Sequence, residues 1–390
     1  MKAAKSLSVK TLSGESYCSG TRIFQSLHWV VLAGVCVMPL DVHCASPGKT
    51  LKRLTNDWVE TVQTVAFSPD RKTLAIGSSA PSHEPGNFPG DKPLPEGTIE
   101  LWDLDSGKLM TTLRQSARSK SGDTANKVGA ITFSPDGKWL IGSDFTGYTL
   151  WEVATLKQKF KWPSGMIEPL SPGWSPDGKW IALPTMVDPN AAAFQGYPIG
   201  VALVDAETGK SKMFYPVERG FPRAARFSPN GKLMATAGHD CTVRVFDTKA
   251  LTNVFNDETQ YTMFAVAFSP DGHTLVAGSC GAGVMLIYEV NFDDGKVIIN
   301  KKASSRGAAL QVHSIDFTPD QERALSNSTN GILLWDATTW LTYKTLTDSH
   351  GYLSTDGNQI ALVRNSAPNI EIWSLADLEK TLATLQIDGR

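Results

Sequence analysis

The sequence has little of what several protein classes need. Five cysteines in 390 residues are too few for a disulfide-rich scaffold, and three of them precede residue 46. We expect the other two, Cys241 and Cys280, to be free thiols, with a bridge between them as the alternative. Charges nearly balance at a net −2, so a nucleic-acid backbone would find no concentrated basic surface. We therefore expect a globular chain that does not bind nucleic acid.

Signatures of catalysis and metal binding are also missing. The sequence contains no Gly-x-Ser-x-Gly nucleophile elbow and no phosphate-binding GxxxxGK[ST] loop. Its seven histidines are scattered, without a paired metal-ligand spacing or a nearby cysteine pair. The stretch His239-Asp240-Cys241 favours a structural turn, because aspartate often bonds the backbone or a neighbouring hydroxyl there. We predict no catalytic residue, no metal site and no cofactor.

The first 45 residues differ from the rest of the chain. Residues 1–26 carry four basic residues against one acidic residue, and the mostly apolar run LHWVVLAGVCVMPL follows before the small residues of VHCAS. This pattern is typical of a secretory signal, and its apolar core is short for a membrane span. We expect residues 1–45 to be a leader and the mature protein to be secreted or periplasmic. The alternatives are a mis-assigned start with a cytoplasmic protein, and lipid modification at Cys36 or Cys44.

A short turn sequence recurs through residues 46–390. FSPDG occurs at Phe133 and Phe268, and close variants begin at Phe67, Trp174, Phe227, Phe317 and Leu353. Proline and aspartate suit the central positions of a type I turn, and glycine takes the left-handed conformation that completes a hairpin. Apolar runs that alternate with polar residues surround each turn, as in strands. Consecutive turns are 36 to 66 residues apart, which predicts units of four antiparallel strands.

The third strand of several units resembles the WD40-repeat family. The resemblance rests on LWDLDSGK (Leu101–Lys108), LWEVATLK (Leu150–Lys157) and LWDATTW (Leu334–Trp340). It covers about residues 50–390 and implies a β-propeller. We therefore predict an all-β, seven-bladed β-propeller of four-stranded antiparallel blades, formed by residues 46–390 as a single domain.

The sequence departs from the family pattern in two respects. The Gly-His pair before the first strand is missing from nearly every repeat, and the family's turn aspartate persists most clearly at Asp144 and Asp240. The sequence is also similar to propellers of the TolB type, which share the FSPDG turn, although the Trp-Asp pairs favour WD40. We expect the segment Thr50–Thr55 to complete the last blade, with a carboxy-terminal segment near Thr384 as the alternative.

The resemblance and the missing catalytic motifs together favour a non-catalytic scaffold for protein–protein interaction. We expect a monomer that binds an unidentified protein or peptide through loops on a rigid scaffold. One alternative is a small-ligand-binding or weakly enzymatic propeller with its site at the mouth of the central channel. Another is a purely structural module of an envelope assembly.

Long connections contain the candidate partner-binding residues. They lie after the second strand of blade 1, between blades 1 and 2, and after the second strand of blade 3, on one rim of the propeller. The candidates are His83, Phe88, Arg118, Lys120, Phe194 and Tyr197. Inert surface loops, or loops folded back on the rim, are the alternative.

Two charged residues occupy predicted innermost strands. Arg226 and Asp316 each precede the aromatic residue of a turn, and burial there would demand a partner for each charge. They are either structural or candidates for lining the central channel.

Overall fold

The computed structural model describes most of the chain after residue 48. The described ranges are 49–51, 61–79, 97–114, 128–163, 171–185, 199–217, 220–293, 295–306, 311–328, 331–346, 349–353, 357–364 and 370–379. All of them belong to one compact unit, Cys44–Arg390. The expected leader, residues 1–45, lies outside these ranges.

The described chain forms seven four-stranded antiparallel sheets, and we call the six that are built from four consecutive strands blades 1 to 6. After β1 (Lys49–Leu51), blade 1 consists of β2 (Thr61–Phe67), β3 (Thr73–Ser79), β4 (Thr98–Asp103) and β5 (Lys108–Arg114). Blade 2 consists of β6 (Ala130–Phe133), β7 (Trp139–Asp144), β8 (Gly147–Glu152) and β9 (Lys157–Pro163). Blade 3 consists of β10 (Gly173–Trp174), β11 (Trp180–Thr185), β12 (Gly200–Asp205) and β13 (Ser211–Pro216).

The remaining blades follow the same order from the innermost to the outermost strand. Blade 4 consists of β14 (Pro222–Phe227), β15 (Leu233–Gly238), β16 (Thr242–Asp247) and β17 (Thr252–Glu258). Blade 5 consists of β18 (Met263–Phe268), β19 (Thr274–Ser279), β20 (Val284–Asp293) and β21 (Lys296–Arg306). Blade 6 consists of β22 (Val312–Phe317), β23 (Arg323–Ser328), β24 (Gly331–Asp336) and β25 (Thr342–Leu346). The last strands are β26 (Ser349–Leu353), β27 (Gln359–Arg364) and β28 (Ile370–Ser374), and a short helix follows at 375–379.

The last sheet corrects the blade count expected from the sequence. Seven turns predicted seven blades, but only six sheets are built from four consecutive strands. Within the described residues after Leu346, the carboxy-terminal unit supplies β26, β27 and β28, and β1 pairs with β28 so that Thr50 lies opposite Glu371. The seventh sheet is thus a composite closed by an amino-terminal strand, because a sheet edge left open would expose unpaired backbone groups. The closing strand was expected within Thr50–Thr55 and is described as Lys49–Leu51.

Apolar clusters between neighbouring sheets hold the ring together. Each of the seven clusters draws its side chains from two successive sheets, and one of them joins the composite sheet to blade 1. In that closing cluster, Phe67 and Ile76 of blade 1 pack with Ile370 and Ile372 of β28. The strands are therefore apolar on both faces, since both faces are covered.

The repeated turn closes the first hairpin of each blade through a hydrogen-bond network. In blade 2, the Ser134 hydroxyl donates to Asp136 Oδ1 over 2.5 Å and accepts the Trp139 backbone N–H over 2.9 Å. Asp136 Oδ1 also accepts the Lys138 N–H over 3.0 Å. The same three bonds recur in blades 1 and 3 to 6, with asparagine in blade 4 and threonine in blade 6. The turn therefore recurs because, in each blade, its hydroxyl accepts the backbone N–H at the start of the second strand.

We predict that Ser134→Ala lowers the free energy of unfolding by about 1–3 kcal/mol, because it leaves the buried Trp139 N–H without its acceptor. The matched control is Ser106→Ala, which also removes a hydroxyl bonded to an aspartate, here the exposed Asp103 turn. We expect a change within about 0.5 kcal/mol for the control. Urea unfolding of both variants measures the difference, and equal effects would contradict a structural role for the repeated turn.

Candidate functional site

The six residues predicted to bind a partner lie outside the described ranges. His83, Phe88, Arg118, Lys120, Phe194 and Tyr197 belong to connections between described strands, and their role stays a prediction. Arg226 and Asp316, the two channel candidates, are described and half-buried.

Arg226 fastens blade 4 to blade 3. Its guanidinium donates through Nη1 to the carbonyls of Pro172 and Ala225, over 2.9 and 2.8 Å, and through Nη2 to Ser171 Oγ over 2.8 Å. Gly173 makes this approach possible, because a Cβ there would come within 2.3 Å of the Ala225 carbonyl oxygen. The described contacts therefore give Arg226 a structural role, and its role in binding a channel ligand stays a prediction.

Asp316 lies on the innermost strand of blade 6, two blades from Arg226. Between them, β18 of blade 5 presents the small residues Ala265 and Ala267. Burial raises the pKa of Asp316 to about 6, and the positive charge of Arg226 opposes this rise. Burial lowers the pKa of Arg226, and the carboxylate of Asp316 opposes that change in turn. The two predicted channel residues are thus electrostatically linked.

A second group of side chains gathers where the innermost strands of blades 4 to 6 begin, at the end opposite the repeated turns. The ring centroids of Phe221 and His239 are 4.4 Å apart, and those of His239 and Phe264 are 5.1 Å apart. Phe264 is also 6.2 Å from the ring of His313, and the Arg223 guanidinium carbon lies 3.9 Å from the Phe264 centroid. We call these five residues the mouth cluster.

Backbone geometry positions the mouth cluster. The Phe221 carbonyl accepts the His239 N–H over 2.8 Å, which holds the start of β14 against the turn after β15. Gly220 permits this contact, because it has a φ of +61° and a Cβ there would meet the Asp240 backbone nitrogen at 2.6 Å. Asp240 in turn accepts hydrogen bonds from Thr242 and Arg244. The turn aspartate expected from the sequence to bond a neighbouring hydroxyl is therefore confirmed as structural.

The mouth cluster combines a cation with neighbouring aromatic rings. Phe264 is almost buried, at 8% exposure, whereas His313 is exposed and Arg223 is half-buried. A guanidinium over an aromatic face is attracted by the quadrupole of the ring. Its N–H groups can still donate hydrogen bonds at their edges. Such a surface can contact a carboxylate or an aromatic side chain of a partner.

Sequence reasoning missed this cluster for a physical reason. Phe264 belongs to the apolar run MFAVAFSPDG and has the pattern of a core residue, while His239 was assigned to a turn. The cluster forms only because the ring brings three repeats together. One signal was available, since Arg223 and His313 occur early in predicted innermost strands. Charged or polar side chains are costly to bury there unless they have a partner or a function.

Other features of the described residues limit the chemistry that they can perform. Within the described ranges, no group of three or more histidine, cysteine, aspartate or glutamate side chains is placed to hold a metal ion. No disulfide joins Cys241 and Cys280, both of which lie in the described part of the chain, as expected. None of the helical residues described here forms a helix long and apolar enough to cross a membrane.

We predict that Asp316→Asn alters how stability depends on pH. The carboxyl has a folded-state pKa of about 6 against about 3.9 when unfolded, so the folded chain holds this proton more tightly. The wild-type chain therefore loses up to about 3 kcal/mol of unfolding free energy as the pH rises from about 4 to about 7. Asp316→Asn lacks this loss, so we expect it to gain stability over the wild type across that interval in urea unfolding. A constant difference between the two chains would contradict the assignment.

Comparison with known proteins identifies the repeats. The family model described as WD40 (WD domain, G-beta repeat) matches residues 114–147 and 219–247. WD repeat-containing protein SL1-17 of Schistosoma mansoni is 30% identical over 156 residues, which are 40% of this chain and 45% of that protein. Protein HIR1 of Candida albicans is 24% identical over 205 residues, which are 42% of this chain and 21% of that protein. The chain thus spans less than half the length of both relatives.

A solved structure shares the architecture over nearly the whole chain. A chain of "Crystal Structure of Mitotic Checkpoint Complex" aligns with a TM-score of 0.64 at 14% identity, covering 90% of this chain and 99% of that chain. At this identity the likeness shows the fold alone. The similarity to TolB-type propellers is not confirmed by these matches. Two segments of the chain are thus similar to WD40 repeats, and its ring of four-stranded sheets has the architecture of a β-propeller.

Proposed function

We propose that the chain is a monomeric, non-catalytic scaffold that binds a partner protein at the mouth cluster. The observation that carries this proposal is the row of neighbouring, mutually tilted rings of Phe221, His239 and Phe264, with Arg223 3.9 Å from the Phe264 ring centroid. Arginine and aromatic residues dominate the energetics of protein interfaces when they are gathered in one place. The shared WD repeats and the shared fold support the same role.

The rigid ring favours binding over catalysis at this place. Each element of the cluster is anchored on a strand or turn whose backbone is hydrogen-bonded to its neighbours. A preorganised surface loses little conformational entropy when a partner binds. The side chains gathered there supply a cation, two phenyl rings and two imidazoles, and they include no serine, cysteine or carboxylate. We therefore propose recognition of an acidic or aromatic side chain in a partner segment that crosses the mouth.

The test is crosslinking and co-purification from native cell fractions with the double variant Arg223→Ala/His313→Ala. Both substitutions remove parts of the mouth cluster that the partner would contact, so we expect recovery of a stoichiometric partner to fall at least about tenfold. Phe264 is left in place because it is almost buried and its loss would also destabilise the fold.

Lys212→Ala is the matched control, because Lys212 also lies over an aromatic ring, at 4.6 Å from the Trp180 centroid, but on the outermost strand of blade 3. We expect the control to recover the partner at the wild-type level. If the double variant recovers the same partner as well as the wild type does, the mouth cluster is not the binding site.

We also propose that the protein is exported, on the strength of the basic, apolar and small-residue pattern in residues 1–45. The prediction is that protein isolated from its native cells begins near residue 45 and is found in a secreted or periplasmic fraction. Mass spectrometry of the intact protein and of its amino-terminal peptide measures this. An intact Met1 in a cytoplasmic fraction would contradict export.

A further inference from the structure

The last hairpin of blade 5 is longer than its counterparts. Strands β20 and β21 have 10 and 11 residues, whereas β16 and β17 of blade 4 have 6 and 7. Their pairing continues without a break from Tyr288 to Asp293, which lies opposite Lys296. Four additional residues extend a strand by about 13 Å. The hairpin therefore projects at the end of the ring that carries the repeated turns, away from the mouth cluster.

Contacts at its base make this projection rigid. The His273 ring nitrogen Nδ1 lies 2.9 Å from the Val290 carbonyl oxygen, and the His273 ring meets Phe292 edge-on at 6.4 Å between centroids. Val297 and Ile299 pack against the apolar cluster between blades 4 and 5. The base of the extended pair is thus anchored by side chains of its own blade and by packing towards blade 4.

The outer edge of β21 faces no other strand within the described ranges. It ends its sheet, so alternate backbone N–H and C=O groups point away from β20 along an 11-residue strand. Its sequence, KVIINKKASSR, has four basic residues, no acidic residue and no proline. Seven of its eleven residues, including Lys296, Ile298 and Lys302, are exposed.

The other outermost strands are less suited to pairing. Strands β9 and β13 end in Pro163 and Pro216, which lack an N–H donor. Strand β17 carries Asp257 and Glu258 and no basic residue, and β5 and β25 have only seven and five residues. Strand β28 is already covered by β1. The combination of length and uniform positive charge occurs at β21 alone among the described outer strands.

We propose that β21 is a docking edge for an extended acidic segment of a partner protein, which adds a fifth strand to blade 5. Backbone hydrogen bonds along an exposed edge provide affinity in this mode of recognition, and alternate side chains provide specificity. Carboxylates on the added strand would face Lys296 and Lys302, which gives the charge complementarity that steers association. A second copy of the chain does not fit, because pairing of two β21 edges would bring basic residues together.

The competing explanation is that the basic residues only protect the edge. Lysines on edge strands commonly prevent sheets from joining each other. That explanation predicts that no extended peptide binds, whatever its charge. Binding of an acidic peptide through its backbone therefore separates the two explanations.

The probe is a fluorescently labelled eleven-residue peptide of alternating valine and glutamate, matched in length to β21. Fluorescence anisotropy with the full chain measures its affinity, beside a valine–lysine peptide and a valine–glutamate peptide N-methylated at every peptide bond, which has no backbone N–H on either edge. We expect the acidic peptide to bind and the other two to bind at least about tenfold more weakly. Equal binding of the N-methylated peptide would show attraction without strand pairing and would overturn the proposal, as would no binding of the acidic peptide.

The variant Lys296→Glu/Lys302→Glu reverses two exposed charges on β21 and leaves the Lys301–Asp257 ion pair intact. We expect it to weaken binding of the acidic peptide at least about tenfold. The matched control, Lys157→Glu/Lys161→Glu, makes the same change on the proline-terminated strand β9, and we expect less than about a twofold effect there. Equal weakening by both variants would assign the binding to net charge and overturn the proposal. The mouth-cluster variant Arg223→Ala/His313→Ala should bind the peptide as the wild type does. A failure of the acidic peptide to bind would therefore overturn the β21 proposal without affecting the proposed function of the mouth cluster.

Discussion

Burial of both faces of each sheet is the constraint on which the rest of the structure depends. Strands such as β7 and β15 are buried along their whole length, so their side chains need a neighbouring sheet on either side. Fully burying one leucine or isoleucine side chain contributes about 1.5–3 kcal/mol, which an open row of sheets would forfeit at its two ends. Only a closed ring gives every sheet two neighbours. The contact of Phe67 with β28 residues across the closing interface meets that requirement.

Ring closure explains why the two ends of the chain share a sheet. Three strands at the carboxy-terminal end leave the outer edge of β28 open, and β1 covers it with antiparallel pairing. The repeated turns solve a related problem inside each blade, since the Ser134 network satisfies a backbone group that would otherwise be buried without a partner. Local hydrogen bonding and global packing therefore agree in each repeat, as expected of a sequence that specifies one fold.

The closed ring also decides where binding surfaces can form. Residues in the interiors of the strands pack against neighbouring sheets, so polar and charged side chains occur mainly at strand ends, in connections and on edge strands. The mouth cluster occupies the beginnings of innermost strands, where Arg223 and Phe264 come from adjacent blades. The extended hairpin of blade 5 lies at the other end and exposes β21. The two surfaces are far enough apart in the fold to be altered separately by substitution.

The sequence alone determined the strand content, the repeat and the turn chemistry, because these depend on residues close together in the chain. Period-two apolar runs and the FSPDG turns predicted four-stranded antiparallel blades, and the hydroxyl–aspartate bonds of the turns agree with that prediction. The role of Arg226 could not be predicted, since its acceptors, Pro172 and Ser171, are over fifty residues away along the chain. The placement of the His239 ring between those of Phe221 and Phe264 and the composite sheet closed by β1 were likewise decided by the tertiary structure. Such contacts depend on how blades sit beside one another, which local patterns of apolar and polar residues do not encode.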